Sequence, residues 1–94
     1  MNKDIRDCIC DMGFEDAVLF IKPDFDNAIV GVTEEGQVVY DFDKMVEDMA
    51  QRDGISGLEA IEFIGYNTMR AIPYMPNPKP IIMYSIEGGV RREE

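Results

Sequence analysis

The stretch AIVGVTEEGQVVYDFDKMVEDMAQRDGISGLEA, residues 28–60, decides the fold, because it contains the signals of two strands and two helices in succession. The segments AIVGVT (residues 28–33) and QVVYD (residues 37–41) have the β-branched composition of strands. The EEG between them is a short loop in which Gly36 supplies a positive φ. We therefore expect a β-hairpin that leads directly into a helix.

The helix after the hairpin has a start signal, an apolar face and an end signal. Asp41 or Asp43 can act as the N-cap, and Gly54 is typical of a helix end. Asp48 and Arg52 have the spacing of an i,i+4 ion pair. The apolar side chains recur at helical spacing: Phe42, Met45, Val46 and Met49.

A second helix begins at a capping box formed by Ser56 and Glu59, and Pro73 ends it at about residue 71. The link between the two helices is so short that we expect them to pack as an antiparallel pair. The predicted face of the second helix contains Leu58, Ile61, Ile64, Gly65, Thr68 and Ile72.

The regions before the hairpin predict one more helix and one more strand. Residues 1–13 read as an N-terminal helix with Asn2 as its N-cap and Gly13 at its C-terminal end. Its apolar face consists of Ile5, Cys8, Ile9 and Met12. The apolar run AVLFIK, residues 17–22, ends at Pro23 and favours a buried strand.

The C-terminal region predicts the last strand and a polar tail. The segment IIMYSI, residues 81–86, is the strand, and Pro80 fits only near its start or at an edge. Residues 87–94 read as a frayed tail. The predicted order α-β-β-β-α-α-β is a single α+β domain with an antiparallel-dominated sheet and the helix pair packed on one face. We expect the last strand to run antiparallel to residues 37–41.

The chain is strongly acidic, with a net charge of −10 over 94 residues. Residues 11–62 hold fourteen acidic side chains against three basic ones. Such a field repels nucleic acid and anionic lipid, so we expect no direct nucleic-acid binding and no membrane binding. It favours a protein partner with a basic surface. A homodimer is the alternative, and solubility alone also explains the charge.

The N-terminal sequence MNKDIRDCICDM lacks the apolar stretch that a signal peptide contains. No window approaches the eighteen apolar residues that a membrane-spanning helix needs. We therefore expect a cytoplasmic protein. Cys8 and Cys10 are then reduced thiols rather than a disulfide framework.

Few motifs for chemistry are present. The chain has no histidine, and two cysteines fall short of a structural zinc set. The acidic runs at residues 24–35 and 41–46 fail as calcium loops because apolar residues occupy the ligand and glycine positions. The segment GISG, residues 54–57, lacks the lysine and spacing of a phosphate loop. The sequence predicts no catalytic residue, no cofactor and no metal site.

The stretch YNTMRAIPYMPNPKP, residues 66–80, is the best candidate for a contact surface, because tyrosine, arginine and methionine are enriched in interface cores. Arg70 lies at a helix end, where it complements the dipole and finds a carboxylate readily. Asn67 is expected to contact the following loop. The candidate surface consists of Tyr66, Asn67, Arg70, Tyr74 and Tyr84.

Three segments resemble a set of uncharacterised small proteins from Firmicutes genomes, phages and mobile elements. These are FDNAIVGVTEEGQVVYDFDKMVE, EAIEFIGYNTMRAIPYM and PIIMYSI, and the YNTMRAIPY block is the most specific part. The similarity spans about residues 14–86. It implies a bacterial and cytoplasmic origin linked to prophages or mobile elements, and it implies no known activity.

Three functional hypotheses follow from these patterns. The first is a small acidic, non-enzymatic protein-interaction module or modulator. The second is a nucleic-acid mimic that inhibits a host DNA-binding protein, which would require a dense linear array of carboxylates. The third is an enzyme with an Asp, Glu, Tyr or Arg site, which predicts a closed pocket that contains Arg70, Asn67 and a tyrosine.

Overall fold

The computed structural model describes residues 4–21 and 23–86, which form a small α+β domain with three α-helices and a three-stranded mixed sheet. The helices are α1 (Ile5–Asp11), α2 (Phe42–Asp53) and α3 (Gly57–Phe63). The strands are β1 (Ile29–Val32), β2 (Val38–Asp41) and β3 (Ile81–Met83). A π-helix, Ile64–Met69, continues α3, and two short 3₁₀ helices span Asp26–Ala28 and Ile72–Tyr74.

The predicted hairpin is confirmed. β1 and β2 pair antiparallel, and Gly36 in the loop has a φ of 89°. The Gln37 amide donates to the Thr33 hydroxyl, and the Thr33 amide donates to the Gln37 carbonyl, so the loop is closed at both ends. The register shifts between Ile29 and Gly31, which is the bulge that a strand glycine often marks.

The local signals of the two central helices are confirmed as well. Asp41 is the N-cap of α2, and its Oδ1 accepts from the Asp43 amide at 3.0 Å. Gly54 ends the helix in the left-handed region, with a φ of 66°. Ser56 and Glu59 form the predicted capping box of α3. The predicted apolar face of α2 is buried, and α2 packs against α3.

The predicted face of the second helix is confirmed in part. Ile64 and Thr68 are buried, and Ile61 and Ile72 pack against the core. Leu58, however, is exposed, and Ala60 is buried although it was not predicted to be. The helix also does not continue as an α-helix to residue 71, because it widens into the π-helix after Phe63. A π-helix has more residues in each turn, so the apolar stripe cannot keep the 3.6-residue period.

The predicted strand over residues 17–22 is wrong for residues 17–21, which have no strand partner among the described residues. Phe20 is buried, and its backbone N–H and C=O form hydrogen bonds with the side chains of Tyr40 and Arg6 and not with a neighbouring strand. A continuous apolar run shows that a segment is buried, but it does not show what pairs with its backbone. Within the described ranges, the sheet therefore has three strands, in the order β1-β2-β3.

The direction of the last strand also differs from the prediction, because β3 runs parallel to β2 and not antiparallel. A proline-rich link connects the helical residues 57–74 to β3. The Gln37 side chain donates to the Lys79 carbonyl at 3.0 Å, so the link ends beside the start of β2. A strand that begins there runs in the same direction as β2. Pro80 directly precedes β3, as predicted.

The core lies between β2, α2, α3 and the segment around Phe20 and Phe25. Tyr40, Phe25, Met45, Met49, Ile64 and Val38 are the largest fully buried side chains. In α1 only Ile9 is buried, while Cys8 is half-buried and Cys10 is exposed. The predicted Asn2 cap and the predicted tail at residues 87–94 lie outside the described residues.

Candidate functional site

An apolar groove of about 410 Å³ separates the irregular segment before Pro23 from the helical segment after α3. One wall is formed by Leu19, Phe20, Ile21 and Pro23. The other wall is formed by Phe63, Asn67, Thr68, Ala71 and Met75. We call this site the apolar groove. Its described lining contains no ionisable side chain, and its polar side chains are one amide and one hydroxyl.

The first wall is fixed to the core through Phe20. The Phe20 amide donates to the Tyr40 hydroxyl oxygen at 3.1 Å, and the Phe20 carbonyl accepts from Arg6 Nη2 at 3.2 Å. The Phe20 ring packs on the Tyr40 ring with centroids 4.8 Å apart. The segment thus has a defined position although it belongs to no sheet.

Arg6 is held in turn by Asp26. Its Nε and Nη2 donate to the two carboxylate oxygens of Asp26 at 2.9 and 3.0 Å, a bidentate geometry that only arginine provides. The hydrogen bond that Arg6 donates to Asp26 raises the pKa of the Arg6 guanidinium. Burial raises the pKa of Tyr40 to about 12, so its phenol stays protonated across the physiological range.

The second wall contains the π-helix, an element often found at functional sites. Asn67 Nδ2 donates to the Phe63 carbonyl at 3.0 Å. The Asn67 amide therefore bonds the preceding turn, and no hydrogen bond joins Asn67 to the following loop among the described residues. Asparagine inside a helix competes for backbone groups in this way. Thr68, the next residue, is buried.

Two large apolar side chains of the groove face solvent. Ile21 is 71% exposed and Phe63 is 39% exposed, on opposite walls. Exposed apolar side chains that line one concave surface are typical of a binding site rather than of scattered surface residues.

The five residues predicted as a contact surface are all exposed. The Arg70 guanidinium lies over the Tyr66 ring, 5.7 Å from its centroid, and both side chains are exposed. Tyr74 is 88% exposed. Tyr84 packs on the Phe42 ring at 5.1 Å, with its hydroxyl 3.9 Å from Met69 Sδ. Of the five predicted residues, the apolar groove contains only Asn67.

The environment of Arg70 also differs from the expectation. No carboxylate of residues 4–21 and 23–86 forms an ion pair with it. The described ion pairs are Arg6–Asp26, Arg52–Asp48 at 3.3 Å, as predicted, and Arg52–Asp24 at 3.9 Å. The lining of the groove does not bring Arg70, Asn67 and a tyrosine into one pocket.

A second cavity of about 420 Å³ lies at the other end of the segment that forms the first wall. It is lined by residues 13–17, the hairpin loop at Glu35 and Gly36, and Asn77 and Pro78. Glu15, Asp16 and Glu35 give it three carboxylates. None of the three pairs with a cation in the described part of the chain. We call it the acidic cavity.

The groove residues Ile21 and Phe63 were not among the predicted site residues. The signal for Ile21 was present, because it lies at the end of an apolar run that stops at Pro23. The run predicts a buried strand, and this prediction gives no reason to expect that Ile21 faces solvent. Nothing in the local sequence around Phe63 indicates the groove, since the opposite wall is about forty residues away in the chain.

The described part of the chain contains neither a candidate metal site nor a helix that could span a membrane. Over the ranges 4–21 and 23–86, no group of three or more Cys, Asp or Glu side chains is placed to hold a metal ion. No helix within these ranges combines the length and the apolar character needed to cross a bilayer.

The comparisons with known proteins assign no family to the chain. No family model, no curated protein and no solved structure matches it.

Proposed function

We propose that this chain is a small acidic, non-enzymatic protein-interaction module, and that it binds its partner through the apolar groove. One observation carries the proposal: the groove presents the apolar side chains of Ile21 and Phe63 to solvent on opposite walls. Exposed apolar side chains that line one concave surface are typical of a protein-binding site.

The charge of the chain selects the partner. A net charge of −10 gives long-range attraction to a basic surface and accelerates encounter with it. The apolar groove then supplies the short-range contact. The expected partner is therefore a protein with a basic surface and an exposed apolar segment, in the cytoplasm of a bacterium.

Affinity capture from a bacterial lysate with two matched variants tests the proposal. Ile21→Asp places a charge in the groove. Leu58→Asp places the same charge on an apolar side chain that is 67% exposed but lies outside the groove. We expect a protein retained by the native chain and by the Leu58 variant, and lost with the Ile21 variant. Retention should weaken as salt rises from low to moderate concentration, because exposed charges are screened.

Two results would contradict the proposal. One is the absence of any specifically retained protein at either salt concentration. The other is a partner that the Ile21 variant retains as well as the native chain does. Circular dichroism of both variants verifies that they fold.

A further inference from the structure

The backbone of the first groove wall is oriented like an unpaired strand. The N–H and the C=O of Phe20 both point to one side, toward Tyr40 and Arg6. In extended backbone, the N–H and C=O of one residue share a side, and those of its two neighbours point to the other side. The main-chain groups of Leu19 and Ile21 thus point away from the Tyr40–Arg6 side.

These outward groups are not used inside the described domain. No hydrogen bond joins the main chain of Leu19 or Ile21 to any residue of 4–21 or 23–86. Residues 19–21 thus form a short edge on which the main-chain groups of Leu19 and Ile21 can accept an added strand. Main-chain hydrogen bonds give affinity in such a mode, and pockets for alternate side chains give specificity.

The apolar groove and the acidic cavity lie along the same stretch of chain. Residues 13–17 line the acidic cavity, and residues 19–21 and Pro23 line the groove. Asp16 and Leu19 are three residues apart, which is at most about 10 Å in extended chain. A peptide beside residues 19–21 can therefore place apolar side chains in the groove and a basic side chain near Glu15 and Asp16.

A second copy of the chain is the competing occupant of this edge. Each copy brings a net charge of −10, so self-association meets repulsion that a basic peptide does not. The net charge therefore favours a basic partner segment over a second copy of the chain.

We infer that the partner binds as an extended segment by strand addition to residues 19–21, with alternate apolar side chains in the groove and Lys or Arg at the end near the acidic cavity. This inference rests on the proposed function and specifies how that same site is used. It names the edge, the conformation of the ligand and the position of its charge.

A random twelve-residue peptide library, displayed on phage and selected on the full chain, tests the inference. We expect enriched peptides with apolar residues at every second position and a basic residue at one end. A helical i, i+3, i+4, i+7 pattern among the peptides would overturn strand addition. Loss of their binding with Ile21→Asp would still support the groove as a protein-binding site. No enrichment at all would count against the proposed function itself.

Hydrogen exchange on the native chain gives a second readout with a synthetic copy of the strongest enriched peptide. We expect the peptide to slow exchange of the amide of Leu19 or Ile21, or of both. Exchange of the Phe20 amide should change little, because it already bonds Tyr40. Unchanged exchange at both Leu19 and Ile21 would overturn strand addition.

Variants at Ile21 separate the backbone contribution from that of the side chain. Ile21→Ala removes most of the side chain and keeps the N–H, whereas Ile21→Pro also removes the N–H. We expect the proline variant to bind the peptide about tenfold more weakly than the alanine variant, on the scale of lost main-chain hydrogen bonding. Equal affinities for the two folded variants would contradict pairing through the Ile21 amide.

Charge reversal tests the direction of the peptide. Glu15→Lys should weaken binding about threefold more than Glu47→Lys, which makes the same charge change on α2 outside both cavities. Equal effects would overturn the placement of the basic end. Light scattering of the free chain tests whether a second copy of the chain occupies the edge instead. A dimer in which the amides of Leu19 and Ile21 are already protected from exchange would show that the occupant is a second copy and not a peptide.

Discussion

The Phe20 amide donates a hydrogen bond to the phenolic oxygen of Tyr40 at 3.1 Å, and the two rings pack with centroids 4.8 Å apart. Through this pair a side chain of the central strand holds a segment that belongs to no sheet. The Phe20 carbonyl is held from the same side by Arg6. The position of the first groove wall therefore depends on a few side chains, whose removal should have measurable effects.

Tyr40→Phe removes the acceptor of the Phe20 amide and keeps the ring. The amide is buried, so we expect the free energy of unfolding to fall by about 1–3 kcal/mol. Urea unfolding followed by circular dichroism measures this change. Tyr74→Phe is the matched control, because Tyr74 is 88% exposed and its loss should change the free energy by less than about 0.5 kcal/mol. Equal effects of the two variants would refute the role given to Tyr40.

The Tyr40 pKa predicts a loss of stability at high pH. Its pKa is about 12 in the folded state and about 10 in the unfolded state. Because the folded pKa is the higher one, the stabilisation is fully present below pH 10 and is lost as pH rises toward 12. The difference in free energy of unfolding between the native chain and Tyr40→Phe should therefore shrink from pH 9 to pH 11. A difference that stays constant over this range would contradict the assignment.

Arg6→Lys should destabilise the fold although it keeps the positive charge. Lysine cannot reproduce the bidentate bond to Asp26 together with the bond to the Phe20 carbonyl. We expect the free energy of unfolding to fall by about 1–2 kcal/mol. Arg70→Lys, at an exposed arginine over the Tyr66 ring, should change it by less than about 0.5 kcal/mol. Thermal unfolding of both variants checks the contrast, and a larger effect at Arg70 would disprove it.

Two glycines should respond to alanine in opposite directions. Gly54 ends α2 with a φ of 66°, where a side chain is strained whatever the space, so Gly54→Ala should cost about 1 kcal/mol. Gly65 lies in the π-helix with no atom within 4 Å of an added Cβ, so Gly65→Ala should stabilise by about 0.5–1 kcal/mol. Melting temperatures compare the two directly. Destabilisation by Gly65→Ala would show that the π-helix requires glycine.

Some elements could be predicted because their determining contacts lie within a few residues of each other. The Asp41 cap bonds an amide two residues away, and the Ser56–Glu59 box closes over three residues. The hairpin loop is closed by Thr33 and Gln37, four residues apart. Such contacts are specified by the local sequence, which is why the hairpin, α2 and the start of α3 were predicted with the correct type.

The candidate site was predicted less well, because its walls come from distant parts of the chain. Asn67 was identified from its segment, but the opposite wall of the groove is formed by Leu19, Phe20, Ile21 and Pro23. The other predicted residues are exposed but do not line the groove: Tyr66, Arg70, Tyr74 and Tyr84. The two walls meet only in the tertiary fold, which no local pattern of the sequence specifies.

The amino-acid sequence by itself determined the strong negative charge, the hairpin, the start and end of α2 and the start of α3, because composition and capping are local properties. Only the tertiary structure decided three further features. Residues 17–21 do not join the sheet, since Tyr40 and Arg6 satisfy the backbone of the buried Phe20. β3 runs parallel to β2, since the link before it ends beside Gln37. The apolar groove brings Ile21 together with Phe63, which lies about forty residues further along the chain.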